Sequence, residues 1–518
     1  MIRRVAVLLT ALLACSVGSA PADDALPDSA TIRAKVAAAT GPIPSAYHET
    51  EEIVSSNGLT TVEHDTVHGQ SWRSVYDSGP FHFEEGVDKT QAWHQNDNGQ
   101  TVLDQADPGS PASAIMAGTV SRVHAPVEAY LIAALDAQGY GIKQYVDPTT
   151  WQPVRHERIE VNGIETTTYD DVWLDHGRTF AHHWHIDDTI SQTSSDVRVT
   201  AYDSSPVFND EVAIVPPVRS LVTFPSGVSL VTLPTQFNAP DSGSDVVVRV
   251  TINGRALDFI LDTGAGGTVM DTDVAKSLGL PFYNRASAVV AQRFSTARTI
   301  VPEMHVGDLV LRNVAVQLAP QGWDAGPYVK AVGLLGFDFL AELGVTIDYE
   351  HRHVTVVPDA AYVPPSDPHT LPLDVRIEEG QPFTSVRING AVGDRWTLDT
   401  GGGTTFLIFD SFARAHPEAV RDNHGWGARS DPVTFYGVGG EFDTRPYLIA
   451  NLQLSSINFI DVLGYRVTSK QSYSDDGDGI IGADFLRLFT VGLDYGHSCV
   501  YLVPTKTTLR ATHTRQGT

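Results

Sequence analysis

The first part of the chain carries short stretches in which apolar and polar residues alternate. Residues 71–76 and 166–169 have this two-residue period, which is typical of a half-buried β-strand. Turn-forming Asn-Gly pairs separate such stretches at residues 57–58, 98–99 and 162–163. The pattern predicts a curved antiparallel sheet in an N-terminal β-rich accessory domain over residues 27–217.

One segment of this region has a helical period instead. Apolar residues in 126–138 recur at helical spacing, and Gly139 follows as a helix-ending residue. The segment therefore predicts an amphipathic helix, which makes this region an α+β domain.

The pattern beyond this region occurs twice, as in an internal repeat. In the first copy an apolar run at residues 257–261 leads into Asp262, and a later apolar-apolar-Gly element ends at Gly336. The second copy has the corresponding elements, which end at Asp399 and Gly482. Two related halves are therefore expected.

The boundaries of these halves follow from composition. Residues 358–372 are rich in Pro and Ala, which indicates a linker. We expect one half at residues 225–358, the other at 372–505, and a tail at 506–518. The 44 glycines and 30 prolines favour many turns, so the fold class predicted is mainly β.

The N-terminus has the features of a secretory signal. Two arginines precede an apolar run at residues 5–14, and an Ala-Pro-Ala site ends at Ala22. We expect a signal peptide over residues 1–22 and a protein exported to the periplasm or secreted. An alternative is lipidation at Cys15, which follows Leu-Leu-Ala. Elsewhere no segment reaches the ~18 apolar residues of a membrane-spanning helix.

Charge and composition exclude several classes of function. The formal net charge is −27, and such a surface repels nucleic acid and anionic membranes. Two cysteines cannot build a disulfide framework or a thiolate metal cage. His183 and His185 share a strand face but lack a third ligand, and the acidic loop at residues 474–479 lacks the distal glutamate of a calcium loop. We expect no metal and no cofactor.

The candidate catalytic residues are Asp262 and Asp399. Each follows a strand and precedes a Gly-rich turn, which fixes one carboxylate and lets another backbone approach closely. If the copies pair, the two carboxyls face each other and share one proton. The ionised member can then activate water while the protonated member binds the scissile carbonyl. The hydroxyls of Thr263 and Thr400 can hydrogen-bond across the two-fold axis and hold the halves in register.

Two Asp-Thr-Gly motifs, ending at Gly264 and Gly401, and the two apolar-apolar-Gly elements resemble those of the retropepsin-like aspartic peptidases. The resemblance covers about residues 225–505 and implies two acid-protease β-barrel halves around one cleft. It implies an aspartic endopeptidase that acts on a peptide or protein substrate. Because one chain supplies both aspartates, as in pepsin-like enzymes, we expect a monomer with an intramolecular pseudo-dimer.

The same family covers its substrate with a flap, a hairpin between the two elements. In the second copy the expected flap residues are Tyr436, Gly437, Gly439 and Gly440, with Tyr436 packing on substrate. The corresponding stretch of the first copy, residues 286–298, has no glycine. The resemblance therefore leaves open whether one or two flaps operate.

Residues 89–99 and 146–154 resemble the periplasmic lipoprotein-carrier family. This resemblance implies a half-barrel with an apolar concavity. It also leaves an alternative function open, in which the chain is a catalytically inactive exported protein that binds peptide or lipid with the same folds. A propeptide is a further alternative, but residues 205–230 offer no clear basic processing site.

Overall fold

The computed structural model shows the mainly β fold that the sequence predicts. None of the described helices is long and apolar enough to span a membrane. The described parts of the chain are residues 26–42, 44–88, 91–104, 116–135, 140–160, 162–175, 177–206, 215–237, 246–289, 292–320, 330–420, 431–438, 440–468 and 477–508. The expected signal peptide, Cys15, Gly439 and most of the tail at 506–518 lie outside them.

The N-terminal region forms one open antiparallel sheet of 13 strands. Hairpins connect most neighbouring strands of this sheet. The first strand, β1, also pairs with the last strand, β13. The strands are β1 (Ala46–Ser55), β2 (Thr60–His68), β3 (Ser71–Ser78), β4 (Phe81–Asp88), β5 (Gln91–Gln95), β6 (Thr101–Asp104), β7 (Thr119–Val123), β8 (Ala129–Leu135), β9 (Gly141–Val146), β10 (Pro153–Glu160), β11 (Gly163–Asp175), β12 (Arg178–Asp188) and β13 (Thr193–Asp203).

The helix of this region does not lie where the sequence predicts it. The helix expected at residues 126–138 is wrong, because Ala129–Leu135 is β8, hydrogen-bonded to β7 and β9. Pairing on both sides outweighs the weak helical preference of an Ala-rich run. The observed helix is α1 (Ser29–Thr40), which Asp28 caps by accepting from the Thr31 N–H at 2.7 Å.

The face of the sheet that α1 covers changes from apolar to acidic. Helix α1 packs against a cluster that contains Ile132 and Val146. On β1 and β2, the side chains on the same face of the sheet include acidic residues. Glu49 lies opposite Asp65, and Glu51 lies opposite Glu63. All four of these acidic residues are half-buried. The N-terminal resemblance implies an apolar concavity, whereas this face of β1 and β2 carries four acidic side chains.

Burial raises the pKa of all four carboxyls. Burial, followed by neighbouring carboxylates, raises the pKa of Glu49 to about 7, of Glu63 to about 8 and of Glu51 to about 9. A raised pKa means that the folded state binds the proton more tightly than the unfolded state. The stability that protonation contributes is thus complete below the ordinary value of 4.5 and is lost as pH rises through the raised values.

We therefore expect the melting temperature of the full chain to fall as pH rises from about 5 to about 9. Glu51→Gln should flatten this dependence, because it removes the carboxyl with the most strongly raised pKa of this group. Glu52→Gln is the matched control, since Glu52 lies next along β1 but is exposed. Thermal unfolding across this pH range measures the effect. An unchanged slope in Glu51→Gln would contradict the prediction.

The first copy of the repeat folds into a closed barrel of six strands in the order β22-β19-β23-β18-β17-β21, closed by pairing of β21 with β22. We call it barrel 1. The elements of this copy are β14 (Val222–Thr223), β15 (Val231–Thr232), β16 (Thr235–Phe237), β17 (Val246–Ile252), β18 (Arg255–Leu261), β19 (Val269–Asp271), α2 (Thr272–Ser277), β20 (Tyr283–Val289), β21 (Arg293–Val306), β22 (Leu309–Ala319), β23 (Gly333–Leu335), α3 (Phe337–Leu340), β24 (Leu343–Asp348) and β25 (His353–Pro358).

The second copy repeats this closure in the order β28-β29-β34-β30-β33-β32, with β28 paired to β32. We call it barrel 2. A 3-10 turn at Asp359–Ala361 precedes its elements, which are β26 (Leu371–Asp374), β27 (Arg376–Glu378), β28 (Gln381–Ile388), β29 (Ala391–Asp399), β30 (Phe406–Ile408), α4 (Asp410–Ala415), β31 (Val433–Gly437), β32 (Gly440–Leu454), β33 (Ile457–Val467), β34 (Gly479–Gly482), α5 (Ala483–Leu486), β35 (Phe489–Asp494) and β36 (Cys499–Pro504).

A six-stranded sheet joins the two barrels in the order β15-β25-β24-β35-β36-β26. Its central pair is β24 from the first copy and β35 from the second, with Gly344 opposite Asp494. One apolar core runs through both copies, so burial as well as pairing fixes the barrels against each other.

The N-terminal sheet docks on barrel 1 through a side chain that enters the barrel wall. The amide of Asn98 accepts from the Ala315 N–H at 2.7 Å and donates to the Ala315 carbonyl at 2.9 Å. It also donates to the fully buried carboxyl of Asp338 at 2.8 Å. Burial raises the pKa of Asp338, and hydrogen bonds to its carboxyl lower that pKa in part. The Asn98 amide supplies one of these bonds and so offsets part of the cost of burying the carboxyl. The accessory domain is thus hydrogen-bonded to barrel 1 through the Asn98 side chain.

Candidate active site

The two candidate aspartates stand at equivalent places in the two barrels. Asp262 directly follows β18, and its backbone N–H donates to the Leu335 carbonyl at 3.0 Å. Asp399 is the last residue of β29, which runs parallel to β34. Each apolar-apolar-Gly element therefore lies alongside the strand that carries an aspartate.

The glycines that end these elements allow the chain to cross beneath the aspartate turn. A Cβ at Gly336 would lie 2.2 Å from the Gly267 carbonyl oxygen. A Cβ at Gly482 would lie 2.3 Å from the Thr404 carbonyl oxygen. Backbone cannot yield as a flexible side chain can, so each crossing requires glycine.

The two aspartate turns pack against each other reciprocally. A Cβ at Gly264 would lie 2.7 Å from Cγ of Asp399, and one at Gly401 would lie 2.5 Å from Cγ of Asp262. Within each turn the glycine N–H donates to its own aspartate, at 2.8 Å for Asp262 and 2.9 Å for Asp399. Each carboxyl therefore rests on the glycine of the opposite barrel.

The threonine that follows each aspartate links the barrels beneath the carboxyls. The Thr263 hydroxyl donates to the Leu398 carbonyl at 2.6 Å, and the Thr400 hydroxyl donates to the Leu261 carbonyl at 2.7 Å. Each hydroxyl also accepts from the other threonine's N–H, at 3.1 Å for Thr263 N and 2.9 Å for Thr400 N. Because both side chains are almost fully buried, these four bonds fix the spacing of the two turns.

The electrostatics of the pair favour a shared proton. Burial raises the pKa of Asp399, while a hydrogen bond with the Asp262 side chain and the backbone N–H groups of Gly401 and Gly402 lower it in part. Asp262 itself is 9% exposed. One carboxyl can therefore stay protonated while its neighbour is ionised, which is the state that general acid–base chemistry needs.

Tyr495 is a buried neighbour that sequence reasoning did not assign to the site. Burial, and then the charges of Asp262 and Asp399, raise the pKa of its phenol. The ring stacks on Phe337 with centroids 5.9 Å apart. The phenol is neutral at every working pH, and a sequence signal existed, because a tyrosine stands at the corresponding place, Tyr349, in the first copy.

Three of the expected flap residues, Tyr436, Gly437 and Gly440, lie on the hairpin formed by β31 and β32, which we call hairpin 2. The fourth, Gly439, lies outside the described residues. Tyr436 is 64% exposed, and Gly437 pairs with Gly440 at the end of the ladder. Sequence reasoning did not single out Val438, which packs against an apolar cluster of barrel 1 that includes Ala265 and Leu334. The tip of hairpin 2 therefore reaches across to the wall next to Asp262.

The first copy has a matching hairpin, formed by β20 and β21, which we call hairpin 1. The Gln292 side chain donates to the Glu441 carbonyl at 3.3 Å, so the two hairpins meet. Phe294 of hairpin 1 belongs to the same apolar cluster as Ala265, whereas Phe435 of hairpin 2 packs beside Phe442 in the equivalent cluster of barrel 2. Two hairpins and two apolar walls thus surround the aspartates.

Residues 248–339 match the family model described as aspartyl protease. This region is aspartyl-protease-like. The matched segment contains Asp262 and Gly336 and ends inside α3. No curated protein matches the sequence of this chain.

Several solved structures are similar to parts of this chain. Conglutin gamma, a basic 7S globulin from lupine seeds, is 11% identical, with 55% of this chain and 97% of that chain covered at a TM-score of 0.32. Basic 7S globulin from soybean is 11% identical, with 54% and 97% covered at 0.34. A LolA superfamily protein from Nitrosomonas europaea is 12% identical, with 36% and 98% covered at 0.28.

Proposed function

We propose that the chain is an aspartic endopeptidase that hydrolyses peptide bonds with a water molecule activated by Asp262 and Asp399. The observation that carries this proposal is the reciprocal packing of the two turns, in which each carboxyl rests on the glycine of the opposite barrel. The hydrogen bond between the two carboxyls and the raised pKa of Asp399 add support. The aspartyl protease match over residues 248–339 agrees with this chemistry.

The mechanism follows from one proton shared by two carboxyls. The ionised carboxylate takes a proton from a water molecule as that water attacks the scissile carbonyl carbon. The protonated partner donates a hydrogen bond to the carbonyl oxygen and stabilises the negative charge that develops there. The leaving nitrogen then takes a proton from the pair, the carbon–nitrogen bond breaks, and the pair returns to its singly protonated state.

The substrate class follows from the walls around the pair. The aspartate turn of barrel 1 adjoins a buried apolar cluster that includes Ala265, Phe294 and Leu334, and barrel 2 has an equivalent cluster with Phe442 and Ile480. Apolar surroundings of this kind would favour a peptide or protein segment with apolar side chains near the cleaved bond. The protein would act as a monomer, since one chain supplies both aspartates, and it would act after export, because residues 1–22 have the features of a signal peptide.

The test is cleavage of a mixed peptide library by the chain without residues 1–22, between about pH 3 and pH 8, with products identified by mass spectrometry. We expect internal cleavage that falls as pH rises through the raised pKa of Asp399, because a doubly ionised pair has no proton to donate. Chelators and thiol reagents should leave the rate unchanged. A folded protein that binds library peptides but cleaves none would replace this proposal with the inactive, peptide-binding alternative.

A further inference from the structure

The two hairpins above the aspartates are held in different ways. Hairpin 2 carries Gly437 and Gly440 near its tip, and glycines allow the backbone to change conformation. Hairpin 1 has no glycine in residues 286–298. The sequence therefore allows more backbone freedom at the tip of hairpin 2 than in hairpin 1.

The outer part of hairpin 1 is bonded to turns of the N-terminal sheet. The Ser287 N–H donates to the Ser191 carbonyl at 2.6 Å, and the Ser287 hydroxyl donates to the Gln192 side chain at 2.8 Å. On the other strand, the Arg293 guanidinium donates to the carbonyls of Ile190 and Asn162. Both strands of the hairpin are thus attached to the accessory domain at this level.

The inner part of hairpin 1 is attached to the same domain through larger side chains. The Arg298 guanidinium forms an ion pair with Asp97 and lies 4.0 Å from the centroid of the Phe81 ring. The Phe81 ring also meets the Tyr283 ring edge-on, with centroids 5.7 Å apart. Arg298 is largely shielded from water, so this ion pair is screened less than a surface pair.

The described contacts of the tip of hairpin 2 with barrel 1 and hairpin 1 are weaker. Val438 packs on the apolar cluster of barrel 1, and Glu441 accepts the bond from Gln292 at 3.3 Å. Tyr436, near the same tip, is 64% exposed. Among the described residues, opening this tip breaks the apolar contact of Val438 and the long hydrogen bond from Gln292. Opening hairpin 1 breaks a backbone–backbone bond, side-chain hydrogen bonds, an ion pair and ring contacts.

We infer that the N-terminal domain clamps hairpin 1 as a fixed wall of the cleft. This inference rests on the proposed peptidase function for its kinetic consequences. Ser287, Arg293 and Arg298 are positioning residues, because they hold the wall against which substrate and the tip of hairpin 2 are aligned. A fixed wall contributes to binding in the ground state and the transition state alike, so its loss should raise KM more than it lowers kcat.

The first experiment measures hydrogen exchange in the full chain without residues 1–22. We expect the amides of β20 and β21 to exchange roughly 10-fold or more slowly than those of β31 and the tip end of β32. In the double variant Ser287→Ala and Arg293→Ala, protection of hairpin 1 should fall while that of β24 and β35 stays unchanged. Arg312→Ala is the matched control, since Arg312 lies on β22 in an exposed pair with Glu303.

A second experiment tethers hairpin 1 to the domain by a disulfide in the double variant Ser191→Cys and Ser287→Cys, whose backbones touch at 2.6 Å. The competing thiol Cys499 is buried. We expect the oxidised, tethered chain to keep kcat and KM within about two-fold, while the clamp-loosening double variant raises KM by roughly 3- to 10-fold with little change in kcat. Activity lost on oxidation and restored by reductant would overturn the clamp.

The exchange experiment separates failure of the clamp from failure of the proposed function. A chain that cleaves no peptide but still protects hairpin 1 more than hairpin 2 would refute the peptidase proposal and leave the clamp intact. Equal exchange in the two hairpins, in a chain that cleaves peptides, would refute the clamp alone.

Discussion

Asp262→Asn and Asp399→Asn are each expected to lower kcat/KM for peptide cleavage by about 10⁴-fold. An asparagine at either place keeps the volume of the side chain but removes one of the two groups that exchange the shared proton. Because the turns are equivalent and each carboxyl rests on the opposite barrel, neither aspartate can replace the other. Steady-state kinetics with a peptide from the library assay measures the effect.

The control for these variants is Asp308→Asn, which changes an exposed aspartate in the turn between β21 and β22 of the same barrel. It should leave kcat/KM within about two-fold of the wild type. Circular dichroism and melting temperature show whether each variant is folded. Full activity in one of the two asparagine variants would contradict a pair built from the two copies within one chain and would point to pairing between chains.

Gly264→Ala and Gly401→Ala should each lower kcat by on the order of 10²-fold or more, because a misplacement of about 1 Å costs this much. The added Cβ of the first variant would lie 2.7 Å from Cγ of Asp399, and that of the second 2.5 Å from Cγ of Asp262. Each substitution therefore displaces the carboxyl of the other barrel. Neither glycine has a positive φ, so the effect comes from lack of space rather than from backbone strain.

Gly403→Ala is the matched control, because a Cβ at that position meets no atom within 4 Å. It lies in the same turn as Gly401 and should keep nearly full activity. Kinetics together with a binding measurement for an uncleaved peptide distinguish a displaced carboxyl from a blocked cleft. Equal activity in all three alanine variants would show that the two turns do not pack as they do in this structure.

The repeat in the sequence predicted the two barrels well. Asp262 and Asp399 each come directly after three consecutive buried residues, and this is the pattern of a strand buried on both faces. Gly336 and Gly482 carried equally clear information, because only glycine fits the crossing beneath each turn. The sequence was sufficient here because the same residue types recur at equivalent places in both copies.

The N-terminal region was predicted less well, for physical reasons. The stretch at Ala129–Leu135 became a strand because β7 and β9 lie on both sides of it, and no local signal reports the neighbours of a strand. The acidic face arose in the same way, since Glu51 and Glu63 face each other only once β1 and β2 are paired. The clamp on hairpin 1 joins residues far apart in the chain, such as Asp97 and Arg298, and sequence spacing cannot reveal it.

The central sheet has a consequence for the order in which the chain can fold during synthesis. Strand β24 carries the buried residues Leu343, Val345 and Ile347, and its partner on one side is β35, near the end of the described chain. Until the ribosome has made β35, this edge of β24 has no partner from its own chain and exposes an apolar strand to aggregation. Contacts this distant in sequence also slow folding, so the sheet that joins the two barrels is completed only after β35 and β36 of the second copy have been made.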